Sequence, residues 1–195
     1  MALIRSFIAI ELPDGLKKEL TELEAALKKR SPSVVKWVDP NSIHITLKFL
    51  GDVPEEKIDE ILTALTESAS GVIPFKLEVK NAGAFPDLNR AQVIWVGVTG
   101  ELVKLTKLQQ QIESNMKLLD FLPEKRAFSP HLTLGRVRDF AIPEERQKIG
   151  KLLAGTAFAS NCPVEVEHVC LMKSQLTPAG AIYTKLGEVK LEDKP

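Results

Sequence analysis

The sequence has no excess of charge of either sign and no long apolar run, and both absences narrow the function. Lysine and arginine together number 26, and aspartate and glutamate also number 26, among 195 residues. This balance excludes a global positive field of the kind that holds a long nucleic-acid duplex by neutralising its phosphates. A nucleic-acid ligand would therefore have to be bound locally, by a few side chains.

Membrane attachment is not expected either. No apolar stretch approaches the roughly 20 residues needed to cross a bilayer. The apolar start of the chain, residues 1–13, is interrupted by Arg5 and Glu11 and lacks the layout of a signal peptide. We therefore expect a cytoplasmic protein that makes no contact with membranes.

The chain also has few cysteines. Cys162 and Cys170 flank a valine-rich segment that predicts one strand. If that strand is unbroken, the eight residue steps from Cys162 to Cys170 span about 26 Å at ~3.3 Å each. A disulfide cannot bridge that distance, so we expect two reduced thiols.

The length favours one compact unit or two small, intimate lobes rather than modules joined by linkers. Strands are predicted over residues 5–11, 34–38, 42–50, 74–84, 91–98, 128–137, 164–172 and 181–186, and helices over residues 13–30, 54–65, 101–120 and 143–153. Because strands and helices come in blocks rather than as repeated crossover units, the pattern predicts an α+β fold with antiparallel sheets.

One short phrase occurs twice. Residues 43–47 read IHITL and residues 130–134 read PHLTL, 87 positions apart and each on a predicted strand. The repetition favours a duplicated lobe within a single domain spanning residues 1–195. The sequence halves would be approximately residues 1–72 and 73–195, with strands possibly exchanged between the lobes.

Alternation along a strand assigns these residues to faces. In the first phrase His44, Thr46 and Lys48 share a polar face, and Phe49 follows the apolar parity of Ile45 into the core. In the second phrase His131 and Thr133 share a face, opposite Leu132 and Leu134. Each strand is therefore predicted to present an imidazole beside a hydroxyl.

Two such pairs suit the opening of a cyclic phosphate. That reaction needs a base for the attacking water, an acid for the departing ribose oxygen and donors for the phosphoryl oxygens. Histidine can fill both proton-transfer roles near neutral pH, and threonine hydroxyls can donate to the non-bridging oxygens. The chemistry requires no metal and no other cofactor.

The segments SIHITLKFLG and FSPHLTLGR resemble the paired HxTx motifs of the two-histidine phosphoesterase superfamily. The chain is most similar to the bacterial and archaeal RNA 2′,3′-cyclic phosphodiesterases, formerly called 2′-5′ RNA ligases. The resemblance extends to RSFIAIELP at the start, to NAGAFPDLNRAQVIWVGV in the middle and to residues 179–183 near the C-terminus, and so covers nearly the whole chain.

The resemblance implies two pseudo-symmetric lobes, each an antiparallel sheet with helices packed outside, that flank a central cleft. It implies that His44 is the proton donor and His131 the proton acceptor. The expected product is a 2′-phosphomonoester, and some members of the family also join RNA ends through a 2′-5′ bond. The expected partner is the 3′ end of an RNA or a nucleoside cyclic phosphate, bound by a monomer.

Arginine and lysine near the motifs are candidate phosphate ligands. Arg136 matches the arginine that ends the second motif of the family, and a guanidinium suits a phosphate. Counting by twos from His131 puts Arg136 on the wrong face, so we expect either a bulge at Gly135 or the end of the strand there. Lys48 has the right parity, and Arg90 could reach the cleft from its hairpin.

Other readings remain open. The enzyme could be a 2′-5′ RNA ligase or a phosphodiesterase for another nucleotide, and the chain could instead be a nucleotide- or RNA-binding module without turnover. A metal site that combines His168 with Cys170 has too few ligands to be favoured. Trp37 and Trp95 could stack on bases, but their strand positions favour core packing.

Overall fold

In the computed structural model, residues 3–177 and 180–192 are described, so Ala179 of the C-terminal family segment lies outside the described residues. The strands are β1 (Leu3–Ile10), β2 (Val35–Trp37), β3 (Ile45–Pro54), β4 (Phe75–Phe85), β5 (Val93–Gly100), β6 (His131–Val137), β7 (Val164–Val166), β8 (His168–Thr177) and β9 (Gly180–Lys190). The helices are α1 (Asp14–Lys28), α2 (Ile58–Ala69), α3 (Leu102–Leu118) and α4 (Pro143–Ala154).

The strands form two sheets with antiparallel pairing throughout. The first sheet has the order β3-β1-β8-β9, and the second has the order β2-β6-β5-β4-β7. Strand β2, from the N-terminal part of the chain, joins the second sheet, while β8 and β9 complete the first. The predicted α+β class with two antiparallel sheets is confirmed. The exact division of the chain into two lobes stays a prediction.

The helices pack on the sheets through their apolar stripes. In α1 the leucines at four-residue steps, Leu16 and Leu20, are fully buried, as the periodicity predicts. Helix α2 packs against α3 and β9, α3 also contacts β3, and α4 contacts β4. The other face of the first sheet carries a separate small apolar cluster, which consists of Phe7, Ala9, Cys170 and Met172 with Tyr183 packed against them.

Several β-bulges interrupt the alternation of side chains, and one of them falls within each histidine motif. Between β1 and β3, Ala9 pairs with Thr46 and Ile8 pairs with Lys48, so Leu47 is the extra residue. Between β5 and β6, Trp95 pairs with Thr133 and Ile94 pairs with Gly135, so Leu134 is the extra residue. In both motifs the bulge therefore falls on the leucine after the threonine.

The predicted strand over residues 164–172 is wrong in one respect. It breaks at Glu167, between β7 and β8, and Cys162 precedes both strands. Cys162 and Cys170 are nevertheless free thiols, as expected. Among the described residues, no helix combines the length and the apolar character needed to cross a membrane.

Candidate active site

The two motif histidines are held in the same way. The Nδ1 atom of His44 lies 2.8 Å from the carbonyl oxygen of Ser42, and Nδ1 of His131 lies 2.7 Å from the carbonyl oxygen of Ser129. A carbonyl only accepts, so each ring must donate from Nδ1. In both rings Nε2 is left as the atom that can take or give a proton.

Aromatic rings enclose His44. Phe7 stacks on it with ring centroids 4.6 Å apart, and Tyr183 meets it edge-on at 5.1 Å. Burial lowers the pKa of His44 below its usual value, and the hydrogen bond to the Ser42 carbonyl offsets only part of that shift. The apolar surroundings therefore favour the neutral imidazole in the ligand-free protein.

His131 has aromatic neighbours of its own. Phe85 meets its ring edge-on at 4.9 Å, and Trp95 lies 5.3 Å from Phe85. The Trp95 ring rests on Gly83, where there is no room for a Cβ atom. Trp95 pairs with Thr133 and so lies on the face of the motif hydroxyl, which makes the predicted core position of Trp95 wrong. Trp37, by contrast, packs against the main core, as predicted.

The bulge at Leu134 resolves the parity conflict over Arg136. After the extra residue, Arg136 pairs with Val93, two residues from the Trp95 that pairs with Thr133. Arg136 therefore lies on the face of Thr133, and its side chain is exposed. The sequence predicts either a bulge at Gly135 or the end of the strand there; the strand continues to Val137, and the bulge lies one residue before Gly135, at Leu134.

Arg136 acts electrostatically on the other sheet. Burial raises the pKa of the Tyr183 phenol, and the positive charges of Arg136 and Arg5 oppose that rise. Tyr183 in turn contacts the ring of His44. Strands β3 and β6 also approach each other closely. Tyr183 is therefore in contact with His44 and within range of the charge of Arg136, which lies on the face of Thr133.

The predicted orientation of Lys48 is wrong, and the bulge at Leu47 is the reason. Lys48 pairs with the fully buried Ile8, so its side chain enters the protein interior rather than the face of Thr46. Its ammonium lies 2.7 Å from a carboxylate oxygen of Glu113. Lys48 is thus engaged elsewhere and is not a phosphate ligand in this arrangement.

The predicted core position of Phe49 is wrong for the same reason. Phe49 pairs with Phe7 across the ladder, its ring lies 6.1 Å from the Phe7 ring, and 65% of its surface is exposed. In the aligned motifs Phe49 occupies the position that Arg136 occupies in the second motif. The bulge in the first motif therefore places the Phe49 ring on the face of Thr46, and the bulge in the second motif places the Arg136 guanidinium on the face of Thr133.

Arg90 is held in its own turn. Its guanidinium forms two hydrogen bonds with the carboxylate of Asp87, at 2.9 and 2.5 Å.

Three residues near His44 were not predicted from the sequence: Phe7 and Tyr183, which contact its ring, and Arg5, whose charge acts on Tyr183. Strict alternation along β1, which places Arg5 and Phe7 on the same face, was the signal that could have found those two.

A second polar cluster lies on the first sheet. Among the described residues, Glu11, Cys170 and Glu188 place possible metal-ligating atoms within 4.8 Å of one another. The ammonium of Lys185 lies 2.7 Å from Glu11 and 2.8 Å from Glu188, so it already compensates both carboxylates. Burial, together with the charge of Glu11, raises the pKa of the Cys170 thiol to about 12. A metal would need the thiolate, so this donor set suits an ion-pair network better than a metal.

Each sheet carries a histidine two residues before a threonine, and an exposed arginine lies beside one of the two pairs. These are the groups that an acid–base phosphoesterase site needs. The chain belongs to the LigT-like phosphoesterase family, whose model matches residues 10–95 and 96–183 in tandem. The family resemblance of the two motifs is thereby confirmed.

Curated relatives match over nearly their full length. A Methanothermobacter thermautotrophicus protein named RNA 2′,3′-cyclic phosphodiesterase is 34% identical over 188 residues, which cover 96% of this chain and 99% of the relative. A Thermotoga maritima protein of the same name is 34% identical over 191 residues, which cover 97% of this chain and 96% of the relative. Both relatives match this chain over nearly its full length, and both carry the name of an enzyme. The family is therefore one of enzymes.

Solved structures share the fold. A Thermus thermophilus protein matches with a TM-score of 0.79 at 25% identity, over 96% of this chain and 98% of that one. E. coli LigT, crystallised with 3′-AMP, matches with a TM-score of 0.77 at 24% identity, over 97% of this chain and 98% of that one. The roles of His44, His131, Thr46, Thr133 and Arg136 are not decided by these likenesses and stay predictions.

Proposed function

We propose that this protein hydrolyses the 2′,3′-cyclic phosphate of an RNA 3′ end, or of a nucleoside, to a 2′-phosphomonoester without a metal. One observation carries the proposal: both motif histidines donate from Nδ1 to the carbonyl two residues earlier, which leaves both Nε2 atoms available. The names of the curated relatives support the substrate class.

The reaction assigns one proton transfer to each ring. His131 accepts a proton from water as the water oxygen bonds to phosphorus. The bond from phosphorus to the 3′ oxygen then breaks, and His44 gives its Nε2 proton to that oxygen. Thr46, Thr133 and Arg136 donate to the non-bridging oxygens, whose charge grows in the transition state. The 2′ ester bond survives, and the product is the 2′-phosphate.

The lowered pKa of His44 places a condition on its role as the donor. Burial lowers the pKa of His44 and so favours the neutral ring in the free protein. Binding of an anionic phosphate beside it favours the imidazolium, since an opposite charge within a few ångströms raises the pKa of histidine. In this proposal the substrate therefore helps to protonate its own acid.

Phe49 and the rings beside it support a nucleotide substrate. The exposed Phe49 ring offers a face on which a base can stack, at a cost of only two ordered torsions. Phe7 connects this ring to His44. We assign Phe49 to the base and the two HxT faces to the phosphate.

A panel assay tests the function. Nucleoside 2′,3′-cyclic phosphates, an RNA with a cyclic phosphate end, a 2′-5′-linked dinucleotide and an ADP-ribose cyclic phosphate are incubated with the parent, His44→Ala and His131→Ala in the presence of EDTA. Each substitution should lower the turnover of the cyclic phosphates by about 10²- to 10⁴-fold, as expected for positioned acid–base groups.

The outcomes separate the alternatives. Loss of the parental activity in EDTA would point to a metal enzyme, and a His44→Ala variant with parental turnover would refute the proposed acid. Exclusive action on the 2′-5′ linkage would indicate a different phosphodiesterase or a ligase. Tight binding of a 2′-phosphonucleotide with no hydrolysis of any substrate would indicate a binding module.

A further inference from the structure

Lys48 connects the strand of one motif histidine to the loop that precedes the other. Its side chain is only 2% exposed, and its ammonium lies 2.7 Å from Oε2 of Glu113 in α3 and 3.0 Å from the carbonyl oxygen of Leu122. Lys48 belongs to β3, which begins directly after His44. Leu122 belongs to residues 119–130, which join α3 to β6 and end directly before His131.

The loop has no helix or strand of its own and depends on a few hydrogen bonds. The Glu113 carboxylate that binds Lys48 also accepts the backbone N–H of Glu124, at 3.4 Å. One carboxylate therefore holds both the lysine and the loop backbone. At its far end the loop supplies the Ser129 carbonyl, which accepts from Nδ1 of His131.

Stability alone does not account for this ion pair. Removing an ammonium and a carboxylate from water costs about as much as their attraction returns, and a well-packed apolar pair of similar volume is often as stabilising. What the pair adds is direction, because the ammonium must satisfy a carboxylate and a carbonyl at fixed angles. The bulge at Leu47, which turns Lys48 inward, makes this geometry possible.

We propose that Lys48 and Glu113 are positioning residues that set the placement of the His131 imidazole relative to His44. They fix the start of the 119–130 loop to β3, and the loop in turn fixes the carbonyl that orients His131. The inference rests on the proposed function, since it assigns the placement to the acid–base pair of that reaction. Neither residue touches the substrate.

The test replaces the ion pair with an apolar pair. In Lys48→Met/Glu113→Leu no charge is left unpaired, so the fold should persist. The His131 imidazole should then move relative to that of His44, which should lower kcat by about 10- to 100-fold, the loss expected of a misplacement near 1 Å. KM should change little, because the phosphate and base ligands are untouched. Lys48→Arg with Glu113 intact keeps a cation and its donors, so its kcat should fall less than that of the double variant.

A spectroscopic readout distinguishes positioning from general loosening. The chain has three histidines, so their imidazole ¹H–¹⁵N signals can be assigned individually. The double variant should shift or broaden the signals of His131, while those of His44 and His168 stay unchanged. The matched control is Lys76→Met/Glu165→Leu, which removes an exposed ion pair of 2.8 Å between β4 and β7. It should alter neither kcat nor any histidine signal.

The proposal is overturned if the double variant keeps the parental kcat and the parental His131 signals, or if all three histidines shift together. Should the double variant lack a cooperative unfolding transition, Glu113→Gln replaces it, because it keeps the shape and one acceptor oxygen and weakens the hold on Lys48. If the parent itself hydrolyses no cyclic phosphate, the proposed function fails, while the His131 signals still decide the positioning.

Discussion

At the scale of single residues, burial of one imidazole has a measurable consequence. Stacking by Phe7 and the edge of Tyr183 lower the pKa of His44 mainly by keeping water away. If His44 is the acid, kcat/KM must fall as the pH rises through that lowered pKa, because only the protonated ring can donate. The alkaline limb of the profile should therefore lie below the ordinary histidine value of about 6.5.

Phe7→Ala tests this assignment. The substitution admits water to His44, raises its pKa toward the ordinary value and should move the alkaline limb of kcat/KM to higher pH. The exposed Phe140 provides the matched control, and Phe140→Ala should leave the profile unchanged. Movement of the acid limb instead would show that His44 is the proton acceptor and that the proposed roles are reversed.

Arg136 supports a second prediction at this scale. Its guanidinium is exposed on the face of Thr133, where it can bind a phosphate. Arg136→Ala should lower kcat/KM for a cyclic phosphate by about 10- to 100-fold, the value of one hydrogen bond to a charged group. Arg136→Lys should recover only part, since an ammonium cannot bind two oxygens in a plane. Arg30→Ala, at an exposed position after α1, is the control, and an equal loss there would indicate a general charge effect.

At the scale of strands and helices, Trp95 is seated on a glycine. A Cβ atom at Gly83 would overlap the Trp95 ring. Gly83→Ala should therefore destabilise the protein by about 1–3 kcal/mol, as overpacking does, measured by urea unfolding. Gly155→Ala is the control, because its Cβ would meet only ordinary contacts, the nearest at 3.6 Å. An equal cost at both glycines would contradict the seating of Trp95.

Periodicity and turn residues were enough to predict most elements. Helix α4 begins at Pro143, as expected, and the α+β class followed from the order of the blocks. What alternation could not predict was the effect of the two bulges. A bulge reverses the face of the residues that follow it, up to the next bulge, and that reversal moved Lys48 inward and brought Phe49 and Arg136 outward.

The bulges left no clear local signal. The leucine at each bulge has no special backbone requirement that its side chain would reveal, and the glycine that directly follows Leu134 is matched by Lys48 in the first motif. The histidines and threonines precede the bulges, so their faces could be predicted correctly. The residues after the bulges are assigned to a face by the pairing register with the neighbouring strand, and that register depends on distant parts of the chain.

At the scale of the whole molecule, the two thiols should react with a disulfide reagent in different states of the protein, one when it is native and the other only when it is unfolded. Cys170 is almost fully buried, and its thiol pKa of about 12 leaves almost no thiolate at pH 8. Cys162 is only half-buried. A disulfide reagent at pH 8 should therefore modify Cys162 in the native protein and Cys170 only after unfolding. Cys162→Ser should abolish the native reaction, and a thiol that still reacts would contradict the burial of Cys170.

The strand order of the first sheet has a consequence for biosynthesis. Strand β1 lies between β3 and β8, and β8 begins at His168. As the chain leaves the ribosome, β1 and β3 can form only a two-stranded ribbon, which is marginally stable in water. One edge of β1 stays open until β8 has been translated. An open strand edge can pair with other chains, so we expect β1 to be prone to aggregation until β8 pairs with it.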